Sequence, residues 1–161
     1  MKKTKIVDTL KIIYDRLKDE NIKWVLVGSA SLFLQGVDII ANDIDILTDN
    51  DGAKRISYLF SEFIVKPVKY SEGEYFRSYF GEMKINKIKV EIMGDLEEKR
   101  KGIWISYKSR LENPVIISIG NINVPVSDLK EQLIGYKESS REKDRNRVKK
   151  IEEKLSQLEN H

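Results

Sequence analysis

The chain of 161 residues contains no cysteine and one histidine, His161, so disulfides, thiolate or histidine zinc sites and a Ser-His-Asp triad fall outside its chemistry. Any catalysis must rest on carboxylates, amines, hydroxyls and bound metal. A formal net charge of +3 permits a nucleic-acid partner without pointing to one, and the length suits one domain over residues 1–161 with its own core.

Residues 4–20 predict an amphipathic helix, because Ile6, Leu10, Ile13 and Leu17 recur at spacings of four, three and four. Trp24–Val27 is a β-rich apolar run that stops at Gly28-Ser29. Glycine there lets the backbone turn tightly and approach a ligand. Ser29 is expected to cap a short helix through Gln35, stopped by Gly36, and free amides at a helix start suit a phosphate. A loop over residues 37–42 leads to a strand over 43–47. In Asp43-Ile44-Asp45-Ile46 the side chains alternate, so both aspartates share one face and both isoleucines the other. Two carboxylates beside a Gly-Ser turn suit Mg²⁺ facing a phosphate.

Capping residues over 48–52 precede a predicted helix over 52–63 with Ile56, Leu59, Phe60 and Phe63 inward. A strand over 64–70 contains Pro67, which favours a sheet edge or a bulge. Tyr75–Ile85 and Ile88–Met93 read as an antiparallel hairpin around Asn86-Lys87. Glu91 is the single acid among the apolar positions of the second strand. Residues 95–102 read as a charged helix or loop. Residues 103–107 and 115–119 are β-like, and Gly120-Asn121 turns the chain into 122–126, where Pro125 marks an edge. Ser127 is expected to cap a helix through Tyr136, and Val148, Ile151, Leu155 and Leu158 register a last helix over 141–158. The core thus covers about 1–126, and a helical pair covers 127–158. Between those two helices lies Lys137-Glu138-Ser139-Ser140-Arg141-Glu142-Lys143-Asp144.

Val27-Gly28-Ser29, a spacer of thirteen residues and Asp43-Ile44-Asp45-Ile46 together resemble the signature of the nucleotidyltransferase superfamily, the group that includes DNA polymerase beta. The resemblance implies an α+β, two-layer fold with a mixed central sheet and helices packed on it. It points to the small prokaryotic members, including aminoglycoside-modifying and toxin-like branches. It implies a site for Mg²⁺ or Mn²⁺ and a nucleoside triphosphate such as ATP, with Asp43 and Asp45 as metal ligands. Glu91 matches the family's third carboxylate, departing from the commoner aspartate, as ligand or general base. Gly28 and Ser29 would grip phosphates, and Lys137, Arg141 and Lys143 match a basic element that reaches the triphosphate. The implied reaction moves a nucleoside monophosphate onto a hydroxyl and releases pyrophosphate. The acceptor is left open among a small molecule, an RNA end and a protein, with a homodimer or partner protein as candidates to complete the site. The alternative is a non-catalytic nucleotide-binding module or half of a toxin–antitoxin pair, and for the basic join it is a solvated helix start.

No apolar stretch reaches the roughly 20 residues of a membrane helix. The basic start MKKTKIVDTL leads into no apolar segment or cleavage site of a signal peptide. A cytoplasmic protein with no membrane partner is expected.

Overall fold

The Ile6-Leu10-Ile13-Leu17 stripe folds as α1 (Lys2–Leu17), and all four side chains are buried. At roughly 1.5–3 kcal/mol for each fully buried aliphatic side chain, this face is the main reason the helix stays on the sheet. The computed structural model describes residues 2–139 and 141–160; Met1, Ser140 and His161 lie outside them, as does the side chain of Lys2.

The chain continues as β1 (Trp24–Val27), α2 (Gly28–Leu34), β2 (Ile44–Thr48) and α3 (Asn50–Leu59). The strands β3 (Ile64–Glu72), β4 (Phe76–Ile85), β5 (Ile88–Arg100) and β6 (Ile103–Ser106) follow. The rest is α4 (Lys108–Glu112), β7 (Val115–Ile119), β8 (Ile122–Val126), α5 (Leu129–Glu138) and α6 (Lys143–Glu159). All eight strands form one mixed sheet in the order β3-β4-β5-β2-β1-β8-β7, with β6 added to the far half of β5. The pairs β2–β5 and β1–β8 are parallel and the rest antiparallel. This is the α+β architecture that the signature implied. One face is covered by α1 and α3, where Leu10, Ile13, Ile56 and, just past the end of α3, Phe60 join Leu26, Ile44, Ile46 and Val90 in the principal core. The other face carries Val25, Val27 and Leu47 against Leu96 and Tyr107, while Leu32, Leu129, Tyr136 and Ile151 pack α2, α5 and α6 together. Among the described residues no helix is long and apolar enough to cross a membrane.

Turn chemistry decides several boundaries. Asn86 and Lys87 both take positive φ, 53° and 66°, as a two-residue hairpin of primed type requires. Pro67 sits on the edge strand where the β3–β4 register shifts, so it is at an edge and beside an irregularity at once. The side chain of Asp49 accepts the Gly52 amide at 2.6 Å and caps α3.

Four local expectations are corrected. Residues 95–100 extend β5 instead of forming a helix or loop: Leu96 and Glu98 turn inward while Asp95, Glu97 and Lys99 turn out, after a register shift opposite Arg77 and Tyr79. Pro125 is not on an edge, because β8 lies between β1 and β7. The parallel pairing with β1 is a single residue pair, Leu26–Val126, closed by the Ser127 amide on Leu26 O. The position two residues earlier faces the same way, so the missing Pro125 amide falls where that short ladder stops. The cap of α5 is Asp128, which accepts from the Glu131 amide, and Ser127 is buried one residue too early to serve. Ser29 does not cap α2 either, since the helix already begins at Gly28.

Candidate active site

The acids stand on two neighbouring parallel strands. Asp45 on β2 pairs in register with Glu91 on β5, and Asp43 immediately precedes β2 on the same side. Period-2 alternation puts Lys89 beside Glu91 on that face. Its ammonium lies 3.2 Å from Glu91 Oε1 and 3.8 Å from Asp43 Oδ2. The hydrogen bond to Glu91 and the two negative charges hold Lys89 above its ordinary pKa, against the pull of burial. Asp45 is pushed up to about 7, first by burial, then by the charge of Glu91, with Asp43 adding and Arg147 and Lys89 opposing. Gly28 completes this wall. Its φ is +70°, and a Cβ there would collide with the Asp45 carboxylate. The glycine is thus fixed by backbone conformation and by the acid it faces.

The opposite wall comes from the start of α6. Asp144 is fully buried. It accepts from the Ser139 hydroxyl and from Arg141 Nε at 3.0 Å and Nη2 at 3.2 Å, with Arg147 Nη1 at 3.9 Å. Arg145 ties the knot down by donating to the carbonyls of Tyr136 and Ser139. Arg141 lies over the Phe76 ring and Arg147 over Tyr136. Burial and the charges of Arg141 and Arg147 lower the pKa of Lys143, while Asp144 and Asp45 raise it.

These walls enclose a cavity of about 370 Å³. Of the residues singled out from sequence, Gly28, Ser29, Asp43, Asp45, Glu91, Arg141 and Lys143 line it. Lys137 does not. It is one helical step past Tyr136, which turns it outward to pair with Glu152 at 3.4 Å, both half-exposed. The cavity also takes in Lys89, Tyr107, Arg110, Tyr136 and Arg147, which the sequence reading passed over. Two of them had a readable signal. Lys89 shares strand parity with Glu91, and Arg147 follows Arg141 and Asp144 at helical spacing of three. Arg110 had none, because it rests on a short helix that carries no apolar period.

Residues 9–151 match the sequence model of the aminoglycoside-2''-adenylyltransferase family. The chain belongs to that family. It is therefore grouped with the nucleotidyltransferases, as a solved relative also indicates. TM1012 of Thermotoga maritima, classed as a nucleotidyltransferase, is 36% identical at a TM-score of 0.80, with 100% of this chain and 97% of that one covered. Two antibiotic-modifying enzymes share the fold at low identity. The lincosamide adenylyltransferase LnuA, solved with lincomycin, is 15% identical over 92% of this chain and 95% of its own, at a TM-score of 0.55. ANT(2'')-Ia, solved with adenylyl-2''-tobramycin, is 10% identical over 94% and 90%, at 0.56. A search of curated protein sequences finds no match.

The family fold brings a metal question with it. All three acids are hard oxygen donors of the kind Mg²⁺ and Mn²⁺ take, and burial, followed by the charge of Glu91, is what raises the pKa of Asp45. Yet among the described residues no three acidic side chains are arranged to hold one ion together. The Lys89 ammonium stands between Asp43 and Glu91 as a monovalent counter-charge. The donor chemistry of the three acids fits a divalent cation.

Proposed function

We propose that this adenylyltransferase-family protein transfers a nucleoside monophosphate from a nucleoside triphosphate to a hydroxyl acceptor and releases pyrophosphate. The observation that carries the reading is one cavity with Asp43, Asp45 and Glu91 on one side and Arg141, Lys143 and Arg147 on the other. Asp43, Asp45 and Glu91 would hold Mg²⁺ or Mn²⁺, which would supply neutralisation of triphosphate charge and a lower pKa for the attacking hydroxyl.

The chain's own residues do the remaining work. Arg141, Lys143 and Arg147 bind the outer phosphates, with Arg141 and Arg147 oriented beforehand by Asp144. The Ser29 hydroxyl lines the same cavity and hydrogen-bonds a phosphate oxygen. Glu91 takes up the acceptor proton, since it stands next to Asp45 on the wall where the hydroxyl must arrive. Phe76, Phe80, Met93 and Leu96 give the cavity apolar walls that limit water. Positioning and electrostatics carry most of the rate in such transfers. A small-molecule acceptor suits the cavity's size, as lincomycin and tobramycin suit LnuA and ANT(2'')-Ia.

A second reading, nucleotide binding without turnover, is favoured by the Lys89 ammonium between the acids. One experiment separates the two. The protein is incubated with each α-labelled triphosphate, Mg²⁺ and cell extract, beside an Asp43→Asn control. Label transferred to an acceptor with pyrophosphate release, absent in the control, supports transfer. Binding of triphosphate with no pyrophosphate release under any of these conditions leaves the binding module.

A further inference from the structure

Two arginines lie beside Tyr107, Arg100 half-buried and Arg110 buried, and they are treated differently. Arg100 has carboxylates on two sides, Glu98 at 2.9 Å and Glu138 at 2.9 Å. Arg110, on α4, is only 5% exposed and has no carboxylate partner among the described residues. Its guanidinium rests on the Tyr107 ring, 4.1 Å from the centroid, and crowds Gly135 of α5 so closely that no side chain fits there. Among the described residues its guanidinium has one polar contact, the Glu131 carbonyl at 3.5 Å, the outer limit of a hydrogen bond. Asp144 neutralises Arg141 and Arg147 but not Arg110. A guanidinium desolvated without a counter-ion is destabilising, and this one opens onto the cavity. Its planar fork is made for a carboxylate or phosphate.

We propose that Arg110 receives an anionic group of the hydroxyl acceptor, so that the acceptor carries a phosphate or carboxylate and is not a polycationic aminoglycoside. The inference rests on the nucleotidyl-transfer reading, in which Arg141, Lys143 and Arg147 are occupied by the triphosphate. Arg110 comes from a separate element and remains for the second substrate. Pairing points the same way: Lys89 is matched by Glu91 and Asp43, and Arg141 and Arg147 by Asp144, so that Arg110 is the arginine of the lining left without a carboxylate among the described residues.

The test is calorimetric titration of the full chain, with and without saturating MgATP, using ribose 5-phosphate, glucuronate, neutral ribose and tobramycin. At least one anionic probe should bind tenfold or more tighter than ribose, and the phosphate and carboxylate arms tell which anion fits. Arg110→Met should erase that preference, and Arg110→Lys should keep part of it. The affinity for MgATP should change less than threefold in either variant. The melting temperature of Arg110→Met should hold or rise, whereas a structural arginine would lower it. Anionic probes no tighter than ribose, a preference unchanged in Arg110→Met, or tobramycin as the tightest probe each overturn the proposal. So does a tenfold loss confined to MgATP, which would assign Arg110 to the triphosphate. Failure of MgATP to bind while the anionic preference still depends on Arg110 leaves the anion site standing and sinks the transfer reading instead.

Discussion

The two walls of the cavity are built by different physics. The acid wall is a matter of backbone register: Asp45 and Glu91 face each other because β2 and β5 pair residue for residue over Ile44–Thr48 and Val90–Gly94. The cationic wall is a matter of side-chain charge. Arg141 sits in the turn before α6, and Lys143 and Arg147 in its first turns, the two arginines organised by the single buried carboxylate of Asp144. A ladder of main-chain bonds survives the loss of one side chain. A knot around one carboxylate does not.

The largest effect should therefore come from the knot. Asp144→Ala leaves Arg141, Arg147 and Ser139 without their shared acceptor. Breaking a buried pair from one side costs about 3–5 kcal/mol, and partial exposure of the two arginines reduces this to about 2–4. Urea unfolding should show that loss, and triphosphate binding should fall with it. Unchanged stability would mean that the cationic wall is held by packing alone.

The acid wall should respond in the opposite sense. The carboxyl of Asp45 rises from an ordinary value of 3.8 to about 7 in the fold. The folded state thus holds the proton more tightly than the unfolded chain. Its stabilising contribution is complete below about pH 4 and is lost as the pH climbs to about 7. Three units correspond to roughly 4 kcal/mol, and a half-buried side chain should realise about 2. Metal-free Asp45→Asn should therefore be more stable than wild type at pH 8 by about 2 kcal/mol, with the difference gone at pH 4. Thermal melts in chelator across that range check it, and a destabilised variant at pH 8 would make Asp45 a structural acid.

The smallest effects separate a cation inside the wall from its neighbour outside. Arg141→Ala should weaken triphosphate binding roughly tenfold to a hundredfold, the worth of a charge-assisted bond to phosphate. Lys137→Ala should change neither binding nor stability measurably, since its partner is one surface glutamate. Equal losses in the two variants, read by titration with triphosphate, would erase the boundary between wall and surface.

The same contrast explains what could be read in advance. The shared face of Asp43 and Asp45 was legible because strand parity is a one-dimensional rule, Gly28 because a turn requires it, and Glu91 through the family resemblance alone. The α+β fold came from the signature, and most elements from periodicity and turn residues such as Asn86-Lys87. The far half of β5 was missed because its inward position at Glu98 is charged. That charge is tolerated only through partners distant in the chain or on its own strand, Tyr107 at 2.8 Å and Arg100 at 2.9 Å. Lys137 was misplaced and Arg147 overlooked for a related reason. A run rich in Lys and Arg does not say which members a buried acid will turn inward. The acid itself, Asp144, was in view, but its burial depends on packing that no local pattern encodes.

Strand parity also governs which changes of length the protein can tolerate. The segment between Gln35 and Asp43 lies outside the sheet, and adding or removing a residue there leaves every later side chain on its own face. One residue inserted within Ile44–Thr48 reverses the faces of everything on one side of it. Whichever end shifted, the change would set carboxylates against Leu26, Val90 and Ile92 in the core, or move isoleucines out to the cavity. For this short strand, a shift of one position is a heavier lesion than the loss of either aspartate.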